Sequence, residues 1–136
     1  MVLEVYVEGC DDYMSCTYSG FSKFRCEVLR GWNEELGKLY EEKYYYDGNM
    51  NKMKKILNEY DKTYNEGMKL FCFHSDGDGE FTPAECELLL KSFEHVDPDK
   101  FDNSNKEEND WLKESFEKWI NMIKYAINNN KSIIFG

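Results

Sequence analysis

The sequence predicts an α+β fold: a small sheet formed by an N-terminal hairpin, a middle strand and the C-terminal strand, packed with four to five helices. Three observations predict it. VLEVYVEG (2–9) alternates, with Leu3, Val5 and Val7 on one side and Val2, Glu4, Tyr6 and Glu8 on the other, which is a strand pattern. Leu112, Phe116, Trp119, Ile120, Ile123 and Ile127 recur at helical spacing over 110–128. SIIF (132–135) is a short apolar run after the polar break NNNK and reads as a closing strand.

The remaining elements follow in order. YMSCTYS (13–19) is the expected hairpin partner of the first strand, with Gly9 to Asp12 turning between them. FSKFRCEVLRGW (21–32) changes period. Phe21, Phe24, Val28 and Trp32 predict a helix that starts at Ser19 or Gly20. EELGKLYEEKYYYDG is weakly helical and ends at the turn signal Asp47-Gly48. Met50, Met53, Leu57, Tyr60 and Tyr64 form an amphipathic stripe, so a helix is expected over 49–66 with Gly67 as its C-terminal cap. MKLFCFH (68–74) is too apolar for a loop and reads as a buried strand, with a continuing helix as the alternative. TPAECELLLKSFEHV (82–96) is a helix: Thr82 caps it, Pro83 lies in the first turn, Glu85 completes a capping box, and Asp97-Pro98 ends it. Ser104 and Glu107 have capping-box spacing for the last helix.

The 136 residues have the length of one domain, 1–136, with no linker and no internal repeat. An aromatic content of 16% argues against disorder despite 32% charged residues. The net charge of −10 disfavours direct binding of nucleic acid or anionic membranes and suits a basic protein, a cation, or solubility alone. No apolar run approaches the ~20 residues of a membrane span. MVLEVYVEGCDDY lacks the basic and apolar regions of a signal peptide. The five cysteines, Cys10, Cys16, Cys26, Cys72 and Cys86, are odd in number and irregularly spaced, so free thiols and a cytoplasmic location are expected.

FHSDGDGEFTPAEC (73–86) resembles most of an EF-hand loop. With Gly79 at loop position 6, Asp76 and Asp78 take positions 3 and 5, Phe81 the apolar position 8, and Glu85 the bidentate position 12. Calcium wants about six to eight oxygens, and a sharp glycine turn lets short carboxylates converge on it. Against this reading, His74 takes position 1, where imidazole nitrogen suits calcium poorly. The segment before the loop reads as a strand, and no second loop follows. Thr82 to Glu85 also explains itself as a capping box, with acids ahead of a helix N-terminus. A weak calcium site at Asp76, Asp78, Glu80 and Glu85 is therefore the alternative, and no cofactor is the first expectation.

The same segment, HSDGDGE followed by T-P-x-E-C, resembles the HSDCDGE-type segment of small bacterial immunity proteins from polymorphic-toxin systems. YSGFSKFR (18–25) is similar to the Tyr, Phe and Phe-Arg segment those proteins carry near their first helix. The resemblance covers about 25 residues, and Gly77 stands at the cysteine position. It implies an α+β cytosolic protein that binds and blocks a toxin without chemistry of its own, sharing His74, Ser75, Asp76, Asp78, Gly79 and Glu80 with that family.

No GxGxxG, P-loop, HExxH or GxSxG motif is present. Cys72 and His74 would share one face of a strand, but a buried structural cysteine is the commoner case, so no catalytic residue is assigned. Tyr44, Tyr45 and Tyr46 stand between Glu41, Glu42 and Asp47, and tyrosine beside acid suits contact with a basic partner. The expected function is an acidic immunity or antitoxin-type inhibitor of a basic protein, contacting it through Tyr44, Tyr45, Tyr46, His74, Asp76, Asp78 and Glu80. The alternatives are a calcium-binding protein and a phage-encoded inhibitor of a host defence enzyme.

Overall fold

A computed structural model describes residues 2–42, 47–75, 77–102 and 104–136. Its fold is α+β. Four strands form one antiparallel sheet: β1 (Val2–Tyr6), β2 (Tyr13–Thr17), β3 (Glu80–Phe81) and β4 (Ile133–Phe135), in the spatial order β2-β1-β4-β3. Six α-helices accompany it among the described residues, more than the four to five expected: α1 (Tyr18–Trp32), α2 (Glu34–Glu41), α3 (Asp47–Asn58), α4 (Lys62–Phe73), α5 (Pro83–Phe93) and α6 (Lys106–Asn129). A short 3-10 turn spans Pro98–Lys100.

The hairpin forms as its alternation predicts. Leu3 pairs with Cys16, Val5 with Met14 and Tyr6 with Tyr13. β4 lies inside the sheet, with Val5 opposite Phe135 on one side and Phe81 opposite Ile133 on the other. Leu3, Val5, Met14, Phe81, Ile133 and Phe135 are all buried on the helix side of the sheet. Trp119 of α6, fully buried, is the hub beneath it. The rings of Phe21, Phe24, Phe71, Phe81, Phe93 and Phe135 surround it at centroid distances of 5.4–6.4 Å. Every strand and α-helix contributes to one contiguous buried cluster.

Three boundaries differ from expectation, each for a local reason. α1 begins at Tyr18 because the Thr17 hydroxyl accepts from Gly20 N at 3.0 Å, one step ahead of the Ser19 or Gly20 start. α6 is capped by Asn105, whose side chain accepts from Glu108 N at 3.1 Å, not by Ser104 with Glu107. Asp47-Gly48 opens α3 instead of closing a helix.

The larger correction concerns 49–74. The expected single helix over 49–66 is two, and the expected buried strand over 68–74 is the second half of α4. The strand from the middle of the chain lies instead at Glu80–Phe81, at one edge of the sheet. Asp61 makes the break, accepting from Thr63 N at 2.9 Å as the cap of α4. Asn65 seals it from inside: its buried Nδ2 donates to the carbonyls of Leu57 and Tyr60 at 2.9 and 3.0 Å. The Leu57 carbonyl lies in the last turn of α3 and the Tyr60 carbonyl in the turn that follows it. Met53 and Leu57 of the stripe are buried, while Tyr60 and Tyr64 are exposed at 37% each and lie against Trp32 and His95.

Gly67 is no cap. It lies inside α4 at the crossing with α5, where an added Cβ would overlap the Leu88 carbonyl and stand 2.7 Å from Ser92 Oγ. The crossing is pinned by Ser92, whose hydroxyl accepts from Met68 N at 2.9 Å and donates to the Tyr64 carbonyl. Among the described residues no helix is long and apolar enough to cross a membrane.

Candidate functional site

The loop after α4 has helix on both sides, which removes one sequence-based objection to an EF-hand. The objection at position 1 becomes stronger in three dimensions. His74 ends α4, and its ring packs on Phe81 and Phe135 at 4.3 and 4.5 Å between centroids. Its Nδ1 lies 2.6 Å from the Ser75 carbonyl and its Nε2 3.3 Å from the Glu80 carbonyl. Position 7 of an EF-hand offers its carbonyl to calcium. Here that oxygen, on Glu80, faces the imidazole. Gly79 makes the turn with φ +95°, in the left-handed region, and a Cβ there would stand 3.2 Å from His74 Nε2.

Glu85 is committed elsewhere. Its Oε1 accepts from Thr82 N at 2.9 Å, while Thr82 Oγ1 accepts from Glu85 N at 3.2 Å. This is the expected capping box, with Pro83 in the first turn of α5. Asp78 and Glu80 are exposed, and Asp76 lies outside the described residues. Among the described residues no group of three or more His, Cys, Asp or Glu side chains is placed to hold a metal. Thr82→Ala is expected to cost about 1 kcal/mol of stability, equally with and without calcium. Thermal melts in calcium and in chelator check it; a loss seen only in calcium would assign the segment to the ion.

The sheet has a second face, turned away from the helices. It carries Val2, Glu4 and Tyr6 from β1, Tyr13, Ser15 and Thr17 from β2, Ile134 from β4 and Glu80 from β3. All are exposed except the half-buried Ile134. Register lines up one row across the four strands: Tyr13 opposite Tyr6, Tyr6 opposite Ile134, Ile134 opposite Glu80. Val2, Tyr6 and Tyr13 are 62%, 38% and 57% exposed, and they are three of only five large apolar side chains so open to solvent among the described residues. Glu4, Glu8, Asp11 and Glu80, all exposed, are the acids on or beside this face. Burying tyrosines inside a polar rim is how stable protein interfaces are built.

The HSDGDGE loop and the N-terminal hairpin, distant in sequence, thus meet on one sheet. Of the expected contact residues, Glu80 is on the open face, Asp78 is exposed in the loop, and His74 turns inward as a half-buried wedge. Tyr44, Tyr45 and Tyr46 lie outside the described residues. Val2, Tyr6, Tyr13 and Ile134 were not anticipated as contacts. For Val2 and Tyr6 the signal is present in the strand alternation, which puts them opposite Leu3, Val5 and Val7.

All five cysteines carry free thiols. Burial pushes the thiols of Cys26, Cys72 and Cys86 up to about 11, 12 and 12 respectively, so they stay protonated at neutral pH. Cys72, two residues before His74, is fully buried in the core. No protein-family model matches the chain, and no curated protein or solved structure is found to match it.

Proposed function

We propose that this protein acts by binding: it occludes a basic protein partner with the open face of its sheet, as the immunity proteins its loop resembles block their toxins. One observation carries the reading. An uncovered sheet face presents a cross-strand row of tyrosine, tyrosine and isoleucine ending in an acid, on a chain of net charge −10. The aromatics supply contact area at low entropic cost, and the acids steer a cation toward them. The calcium alternative gains the helix ahead of the loop, but His74 faces the position-7 carbonyl and Glu85 is spent on Thr82.

The test is made with the product of the gene directly upstream, co-expressed to score protection and purified to measure association. Tyr6→Ala with Tyr13→Ala is expected to weaken binding by at least about 2 kcal/mol, roughly thirtyfold, and to abolish protection. The on-rate is expected to fall steeply as salt rises. Binding that ignores both substitutions, or an on-rate flat in salt, would reject this face as the contact. A toxin gene upstream and a prophage setting separate the immunity role from inhibition of a host defence enzyme.

A further inference from the structure

We infer that the partner is held by strand addition at the free edge of β2, through an extended cationic segment of the partner that becomes a fifth strand. The inference rests on the blocking function proposed above and specifies its mode.

Backbone geometry makes the edge available. Glu4 O accepts from Gly136 N at 2.9 Å, so Val2, Glu4 and Tyr6 aim their backbone groups at the β4 side. Antiparallel alternation then makes Leu3–Cys16 and Val5–Met14 the hydrogen-bonded pairs of the hairpin. Tyr13 and Ser15 consequently aim their N–H and C=O groups away from β1, and no described residue pairs with them.

Proteins normally blunt such an edge with lysine, proline, a bulge or brevity. β2 has none of these: its sequence, Tyr-Met-Ser-Cys-Thr, is free of charge and proline and spans five residues. The opposite edge, β3, is blunted, with two residues followed closely by Pro83.

Beside the open edge runs a groove of about 180 Å³, lined by Tyr13, Met14 and Ser15 of β2 and by Trp111, Ser115 and Lys118 of α6. An added strand would put alternate side chains into this groove and onto the open face, where they extend the Tyr13–Tyr6 row.

Charge selects the occupant. Lys118, the one cation of the groove lining, is paired with Glu114 at 3.5 Å. Asp11 and Asp12 lead into β2, and Glu4 stands opposite Ser15. A second copy of the chain would bring another −10 and be repelled. A lysine- or arginine-bearing strand is attracted.

Three short peptides probe the intact protein: alternating valine and lysine, the same with glutamate for lysine, and the lysine peptide with alternate amides N-methylated. The lysine peptide is expected to shift the Tyr13 and Ser15 amide resonances and slow their hydrogen exchange at least about tenfold. The other two should do neither. Ser15→Pro removes an N–H that makes no ladder bond and is tolerated on an edge. It should leave the fold unchanged and weaken the peptide at least about tenfold, while Ser15→Ala, which keeps the N–H, binds as the parent does.

A lysine peptide that leaves those amides unprotected, or that binds Ser15→Pro as tightly as Ser15→Ala, overturns the inference. So does a dimer in which they are protected without peptide. The two proposals fail separately. An upstream-encoded partner that binds Ser15→Pro normally but loses Tyr6→Ala retains the blocking function and removes strand addition. No partner binding at all, with the peptide still protecting the edge, does the reverse.

Discussion

Deleting residues 132–136 is expected to abolish cooperative folding. The segment is short, but β4 is interior to the sheet and holds β1 and β3 together. Ile133 is fully buried and Phe135 is 4% exposed. Phe135 meets Phe21 and Phe81 edge-on, each at 5.6 Å, and covers Trp119 at 6.1 Å. Losing a buried isoleucine and a buried phenylalanine costs about 2–5 and 3–5 kcal/mol respectively, cavity included. The backbone bonds from Phe135 N to Gly79 O and from Gly136 N to Glu4 O go as well, at 3.0 and 2.9 Å. The sum is comparable to the whole stability of a domain, about 5–15 kcal/mol. Thermal and urea melts followed by circular dichroism check it. A truncated chain with a cooperative transition within a few degrees of the full-length protein would contradict the interior placement of β4.

Gly67→Ala is expected to destabilise by about 1–3 kcal/mol, toward the upper end, although helix propensity alone predicts a gain of about 1 kcal/mol. The sign is decided by what the methyl group meets. Around Gly67 it meets the Leu88 carbonyl and Ser92 Oγ, backbone and a pinned hydroxyl that cannot swing aside. Relief requires α4 and α5 to separate, which loosens Met68, Phe71, Leu89 and Phe93, all buried. A thermal melt reads it directly. An increase in Tm would mean that the two helices do not cross at this glycine.

These two sites differ in how legible they were. SIIF was readable as a strand because apolar residues after a polar break must pair their backbone groups somewhere. Gly67 was misread because a glycine after an amphipathic stripe has the same local signature whether it caps a helix or admits a second one. The misreading of MKLFCFH has a related cause. A short apolar run does not distinguish strand from buried helix by periodicity. Asn65, Met68, Phe71 and Cys72 do share a buried helical face, but only once Asp61 is recognised as the cap that starts α4. On the site, Thr82 and Glu85 were fully legible, because a capping box is local chemistry three residues apart. The Tyr13–Tyr6–Ile134–Glu80 row was not, because its members come from four separate strands.

The sequence by itself determined the α+β class, the hairpin, the capped helix α5, the long helix α6 and the closing strand. Each depends on period or on contacts within a few residues, and such patterns are written along the chain. Tertiary structure alone decided the strand order, the close approach at Gly67, the inward turn of His74 against Phe81 and Phe135, and the face of the sheet left uncovered. These depend on which distant residues become neighbours. Strand alternation says that Val2 and Tyr6 oppose Leu3 and Val5. Only the packing of the helices decides which of those two faces is buried and which stays exposed.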